Sequence, residues 1–265
     1  MGVRRNVEVG LASVSAGPLT GRDVVLCHGV GDCAEGLSGL IDAFSPEFHT
    51  VAYDFRGHGH SPRFSAAQLA DPFPVLVADL IAEVEQLYRP LVYGHSMGGA
   101  VVAEAAIARP ELFGALVLED PAWMDLDPAQ ARERGAQRVA ALHRDLSDLP
   151  AALRRIQAEE KWPWNALMGW AGGRGRVQEE FVATGVVAPA KPWRQSAAEL
   201  TATRIPTLLL TGTGDNCVLS PAEALSVAAV NMQVTVIEGA RHGVWRTRPE
   251  ETMRVVLGFV ARNFS

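Results

Sequence analysis

Gly94-His95-Ser96-Met97-Gly98 sets a serine between two glycines, directly after an apolar run and directly before a helix-like stretch. A serine on so sharp a strand-to-helix turn adopts a strained backbone, and small neighbours remove the side chains that would collide there. A hydroxyl is a weak nucleophile, so it needs a base, and the base needs an acid to orient it. Two later loops offer them. Gly212-Thr213-Gly214-Asp215 puts a carboxylate after the apolar run 207–210, and Gly239-Ala240-Arg241-His242-Gly243 puts an imidazole after 234–237. His28-Gly29-Val30-Gly31 follows another apolar run, and the backbone N–H of Val30 can pair with that of Met97 as an oxyanion hole. His28 itself reads as a buried structural imidazole.

The elements that must position these loops form a clear rhythm. Short Val-, Leu- and Ile-rich runs at 23–27, 50–54, 91–94, 115–118, 207–210 and 234–237 alternate with amphipathic stretches at 74–88, 97–108, 221–229 and 249–263. Continuous rather than alternating apolar runs fit strands covered on both faces, hence an α/β fold with a mostly parallel sheet flanked by helices. The stretch 6–14 alternates and suits an antiparallel edge hairpin. In such sheets ligands gather at the carboxyl ends of the strands, which brings Ser96, Asp215 and His242 together. From 122 to 199 no strand pattern occurs, and five of the six tryptophans lie there. That stretch is expected to be a helical cap inserted into a core made of 1–121 and 200–265. The Gly-rich stretch 169–176 is expected to be a mobile hinge or surface loop.

With these motifs in order, the chain resembles the α/β-hydrolase-fold superfamily, and in particular a serine esterase or lactonase with a helical cap, a resemblance that implies an eight-stranded-type sheet. The resemblance runs from about Val24 to Phe259 and also takes in the 54–61 stretch Asp-Phe-Arg-Gly-His-Gly-His-Ser. It implies Ser96 as nucleophile, His242 as base and Asp215 as acid. Some members of the family carry the acid one strand earlier, which leaves Asp120 as the alternative. It implies a carboxylic ester or lactone of a small, largely apolar substrate cleaved through an acyl-enzyme. The same triad also serves carbon–carbon bond hydrolysis of ring-fission products, cofactor-free perhydrolysis, or a non-catalytic ligand-binding role. A ring-fission diacid calls for cations in the pocket, with Arg174, Arg176, Lys191 and Arg194 as candidates. Trp123, Trp162, Trp164, Trp170, Trp193 and Trp245 are the pocket candidates, although packing is the default for any single tryptophan.

Composition narrows the rest. Lys and Arg number 24 against 30 Asp and Glu, a net charge of −6 over 265 residues, which disfavours nucleic acid as a partner. No apolar run approaches the roughly 20 residues of a membrane span, and no signal-type stretch opens the sequence, so a cytoplasmic setting is expected. Three cysteines without a CxxC pair indicate neither a disulfide framework nor a zinc knuckle, and His58 and His60 lack a third ligand at suitable spacing. No metal and no cofactor are expected. Monomer and homodimer are both compatible with the sequence.

Overall fold

A computed structural model of the protein describes residues 4–6 and 10–264. Eight strands form one sheet: β1 (Arg4–Asn6), β2 (Ser13–Ala16), β3 (Asp23–Cys27), β4 (His49–Tyr53), β5 (Leu91–His95), β6 (Ala115–Glu119), β7 (Thr207–Gly212) and β8 (Met232–Ile237). Their order across the sheet is β1-β2-β4-β3-β5-β6-β7-β8. β1, β2 and β4 pair antiparallel, and every pairing from β4 through β8 is parallel. The edge hairpin expected over 6–14 is thus β1 paired with β2, with residues 7–9 outside the described residues.

The central strands are apolar throughout because both faces are covered. Along β3, Val25 and Cys27 join one buried cluster while Val24 and Leu26 join the other. The first cluster lies under α3 (Pro72–Val84) and α4 (Met97–Ala108), and the second under α1 (Ser38–Phe44) and α12 (Pro249–Asn263). Between α1 and α3 the chain makes only one short helix, α2 (Ala66–Leu69). The helix expected at 74–88 starts two residues earlier, where Pro72 occupies the first turn at no hydrogen-bond cost.

Between β6 and β7 come five helices and no strand: α5 (Pro128–Ser147), α6 (Leu149–Glu159), α7 (Trp164–Arg174), α8 (Glu179–Thr184) and α9 (Trp193–Ala202). Asp127 caps α5, accepting from the N–H groups of Ala129 and Gln130. α9 differs from the others. It lies beside α4, with Ser196 bonded to Glu104 and Trp193 stacked on Trp123 in the core. The Gly-rich stretch after 169 is not a hinge loop through Arg174: it completes α7. Gly169 lets that helix press onto the backbone of Glu35, where a Cβ would collide. After β7 the chain forms α10 (Pro221–Leu225), which ends short of the expected 229, and after β8 it forms α11 (Val244–Thr247). Among the described residues no helix is long and apolar enough to cross a membrane.

Candidate active site

Ser96 follows β5 with φ +55° and ψ −119°, a conformation that costs a non-glycine residue about 1–3 kcal/mol. Neighbouring backbone holds it there. The Ser96 N–H donates to the Glu119 carbonyl at 3.0 Å, and its own carbonyl accepts from Ala100 and Ala122. The flanking glycines are required by close approach: a Cβ on Gly98 would sit 2.5 Å from the Cys27 carbonyl oxygen, and one on Gly94 would sit 2.6 Å from that of Gly98. Met97 opens α4, so its N–H, like those of the next two residues, has no partner within the helix.

His242, between β8 and α11, places Nε2 2.9 Å from Ser96 Oγ. Its Nδ1 lies 2.6 Å from Asp120 Oδ2. The acid facing the histidine is therefore Asp120 and not Asp215. Asp120 comes directly after β6 at φ +38°, which turns its side chain back over the sheet edge, and it is fully buried. Its carboxylate also accepts from the N–H groups of Val218 (2.8 Å) and Leu219 (3.2 Å), with the Thr211 hydroxyl 3.0 Å away. Asp215 lies three residues beyond the end of β7 on an exposed turn. The loop after β7 thus serves the site through its amides, and through Asn216, whose Oδ1 accepts the His242 N–H at 3.0 Å.

His95, buried beside Ser96, donates from Nε2 to the His242 carbonyl at 3.1 Å. Burial, with His242 adjacent, pushes its pKa well below the ordinary histidine value. His28 is fully buried and accepts the Phe55 N–H on Nε2. His58 accepts the Gly31 N–H on Nε2 at 3.0 Å and contacts the Arg56 carbonyl through Nδ1, and burial likewise drives its pKa far down. Both ring nitrogens are taken, so His58 is no metal ligand. Cys33, Glu35 and Asp54 bring their ligand atoms within 4.8 Å of one another. Asp54 already accepts the N–H groups of Ala34 and His60, and burial pushes the Cys33 thiol up to about 12, so this cluster does not suit a cation.

Ser96 and His242 open onto a cavity of about 410 Å³ between the sheet edge and α5–α7, with Val30 on its wall. Of the six candidate tryptophans, Trp162 and Trp170 line it. Trp123 and Trp193 stack in the core, Trp245 is buried on the other face of the sheet, and Trp164 is exposed. Of the four candidate cations, Arg174 alone reaches the cavity, and it is engaged with Asp145 and the Gly31 carbonyl. Lys191 is paired with Glu104 and Glu199, Arg194 bonds Ser226, and Arg176 contacts the Gly172 carbonyl. Sequence reasoning missed three others that line the cavity, the buried Arg246 and, on α5, Arg134 and Arg138. The signal for the α5 pair was the four-residue spacing that puts both, with Leu142, on one face of the helix.

The chain matches the alpha/beta hydrolase family over residues 24–255. It is 29% identical over 242 residues to the (E)-2-((N-methylformamido)methylene)succinate hydrolase of Acinetobacter baylyi, covering 87% of each chain. It is 25% identical over 250 residues to the pimeloyl-[acyl-carrier protein] methyl ester esterase of Yersinia pseudotuberculosis, covering 91% of this chain and 94% of that one. Its structure superposes on the enol-lactonase of Burkholderia xenovorans with a TM-score of 0.75 at 20% identity, covering 97% of this chain and all of the other. With a strand-borne serine, a histidine and a buried aspartate at the carboxyl edge of a mostly parallel sheet, the chain belongs to the alpha/beta hydrolase family.

Proposed function

We propose that the protein is a serine-type hydrolase that cleaves an ester or lactone of a small substrate through an acyl-enzyme. One observation carries this reading: the continuous hydrogen-bond relay from Ser96 through His242 to Asp120 at the floor of a cavity. Ser96 Oγ attacks the carbonyl as His242 Nε2 takes its proton. Asp120, already ordered by two backbone amides, holds Nδ1 protonated and stabilises the imidazolium that forms. The N–H groups of Val30 and Met97 bind the oxyanion, each contributing about 3–4 kcal/mol to the transition state. His242 then returns its proton to the leaving group and activates the water that releases the acyl product. The relatives' names span a methyl ester, an enol lactone and a substituted succinate. One relay serves any of these when the cleaved group presents an electrophilic carbonyl.

The test is hydrolysis of 4-nitrophenyl esters from acetate to octanoate by the parent and by Ser96→Ala, with fluorophosphonate labelling alongside. We expect turnover with a chain-length optimum, and a loss of about 10⁴-fold or more on removing the hydroxyl. A parent that neither hydrolyses any ester nor takes the label would sink this reading.

A further inference from the structure

The cavity above Ser96 carries more positive charge than its own carboxylates neutralise. Arg246 is tied to Asp32, Arg174 to Asp145 at 2.8 Å, and Glu160, which faces the cavity, to Arg241 at 3.3 Å. That leaves Arg134 and Arg138, and no carboxylate of the described residues lies within 4 Å of either. Their contacts are weak: Arg134 to the Met124 sulfur at 3.3 Å, and Arg138 to the Gly185 carbonyl at 3.4 Å. One turn apart on α5, they repel one another. Arg138 is half-buried, and desolvation together with the adjacent Arg134 charge draws its pKa down. A net-acidic chain thus sets two like charges on the wall of the cavity that Ser96 opens onto, Arg134 exposed and Arg138 half-buried, at the cost of their mutual repulsion. An anionic ligand between them offsets that cost, and a planar guanidinium is suited to holding a carboxylate by two bonds at once.

We propose that Arg134 and Arg138 form a carboxylate-binding subsite, so that the compound cleaved at Ser96 is a small acyl compound with a free carboxylate away from the scissile carbonyl. The assignment of substrate class rests on the hydrolase reading above. It also replaces the largely apolar substrate expected from the tryptophans, since only two of those six line the cavity. A cavity of about 410 Å³ limits the ligand to metabolite size.

The test compares two 4-nitrophenyl esters of equal chain length, the monoester of adipic acid and the hexanoate, at low ionic strength. The parent is expected to favour the anionic ester in kcat/KM by about 10- to 100-fold, carried mainly by KM. Arg134→Met/Arg138→Met should bring that ratio to about one, and Arg138→Lys should keep part of it. Circular dichroism confirms that each variant is folded. A parent ratio of one or less, or a preference that survives the double substitution, overturns the subsite. Calorimetric binding of adipate to Ser96→Ala separates the two ideas. If neither ester turns over and the fluorophosphonate label is not taken, the hydrolase reading fails. Adipate binding that is lost on adding the two methionines then upholds the subsite, and no binding overturns it.

Discussion

Helices α4 and α5 both border the reaction centre, yet they are built on opposite principles. Nine of the twelve residues of α4 are buried against three of twenty in α5, so packing fixes the first while the second is held at a few points. α4 is rich in alanine and glycine and wedges between the sheet, α3 and α9. α5 packs on α6, α7 and α8. One of its three buried residues is Asp145, which accepts from Arg155 of α6 and Arg174 of α7. The region that carries Ser96 is a close-packed core in which the catalytic relay is fully hydrogen-bonded, with His95 Nδ1 and Trp123 Nε1 left as buried polar atoms without a partner. The region that faces the substrate is joined by ion pairs and leaves two arginines unmatched. Catalytic geometry needs rigidity within fractions of an ångström. Selection of a ligand needs groups that stay unpaired until it arrives.

That contrast is most sharply tested at the acid. Asp120→Asn should lower kcat by about 10²- to 10⁴-fold, since the amide holds the wrong tautomer of His242. Asp215→Asn, on its exposed turn, should change kcat by less than about twofold. Steady-state kinetics on one ester decides between them, and the reverse ranking would return the role of acid to Asp215.

The two regions also differ in how much of them could be read in the sequence. β3 and the helices α4 and α12 match the expected bounds, because apolar runs and proline-marked helix starts are local signals. Ser96 and His242 were legible for the same reason. The acid was not. β6 and β7 are neighbours in the sheet, so a carboxylate after either strand lies near the histidine. What separates them is the backbone: Asp120 turns back over the sheet at once at φ +38°, whereas Asp215 is carried outward on its turn. Four of the six tryptophans misled for another reason. An indole fills a core as readily as it lines a pocket, and Trp123 and Trp193 do the former. Arg134 and Arg138 were hidden because charged residues on a long helix ordinarily face water.

Arg174 is where the two regions meet. It binds Asp145 within the helical segment and donates to the Gly31 carbonyl at 3.1 Å, beside Val30. The Gly31 N–H is held from the opposite side by His58. Arg174→Ala leaves a nearly buried carboxylate with one cation instead of two, which should cost about 3 kcal/mol of stability, read from urea unfolding. It should also lower kcat about tenfold with little change in KM, because the Val30–Gly31 segment loses one of its two anchors. A stability loss with kcat unmoved would confine Arg174 to the helical segment and break the link to the oxyanion loop.

A separate effect concerns protons on the core side. His58 and His95 are buried, and burial lowers both pKa values well below the ordinary 6.5. In the folded state both rings stay neutral, while in the unfolded chain both take up a proton as pH falls through 6.5. The unfolded state then binds more protons, so stability is complete above that pH and declines below it. The slope approaches about 1.4 kcal/mol per pH unit for each histidine. Urea midpoints between pH 7.5 and 5.0 measure this before most carboxylates begin to titrate. Replacing one of the two rings, as in His58→Gln, should roughly halve the slope, although it also weakens the hold on the Gly31 N–H. A parent whose midpoint stays flat across that range would mean that these rings accept protons without unfolding, and that the core side of the site is less closed to water than its packing implies.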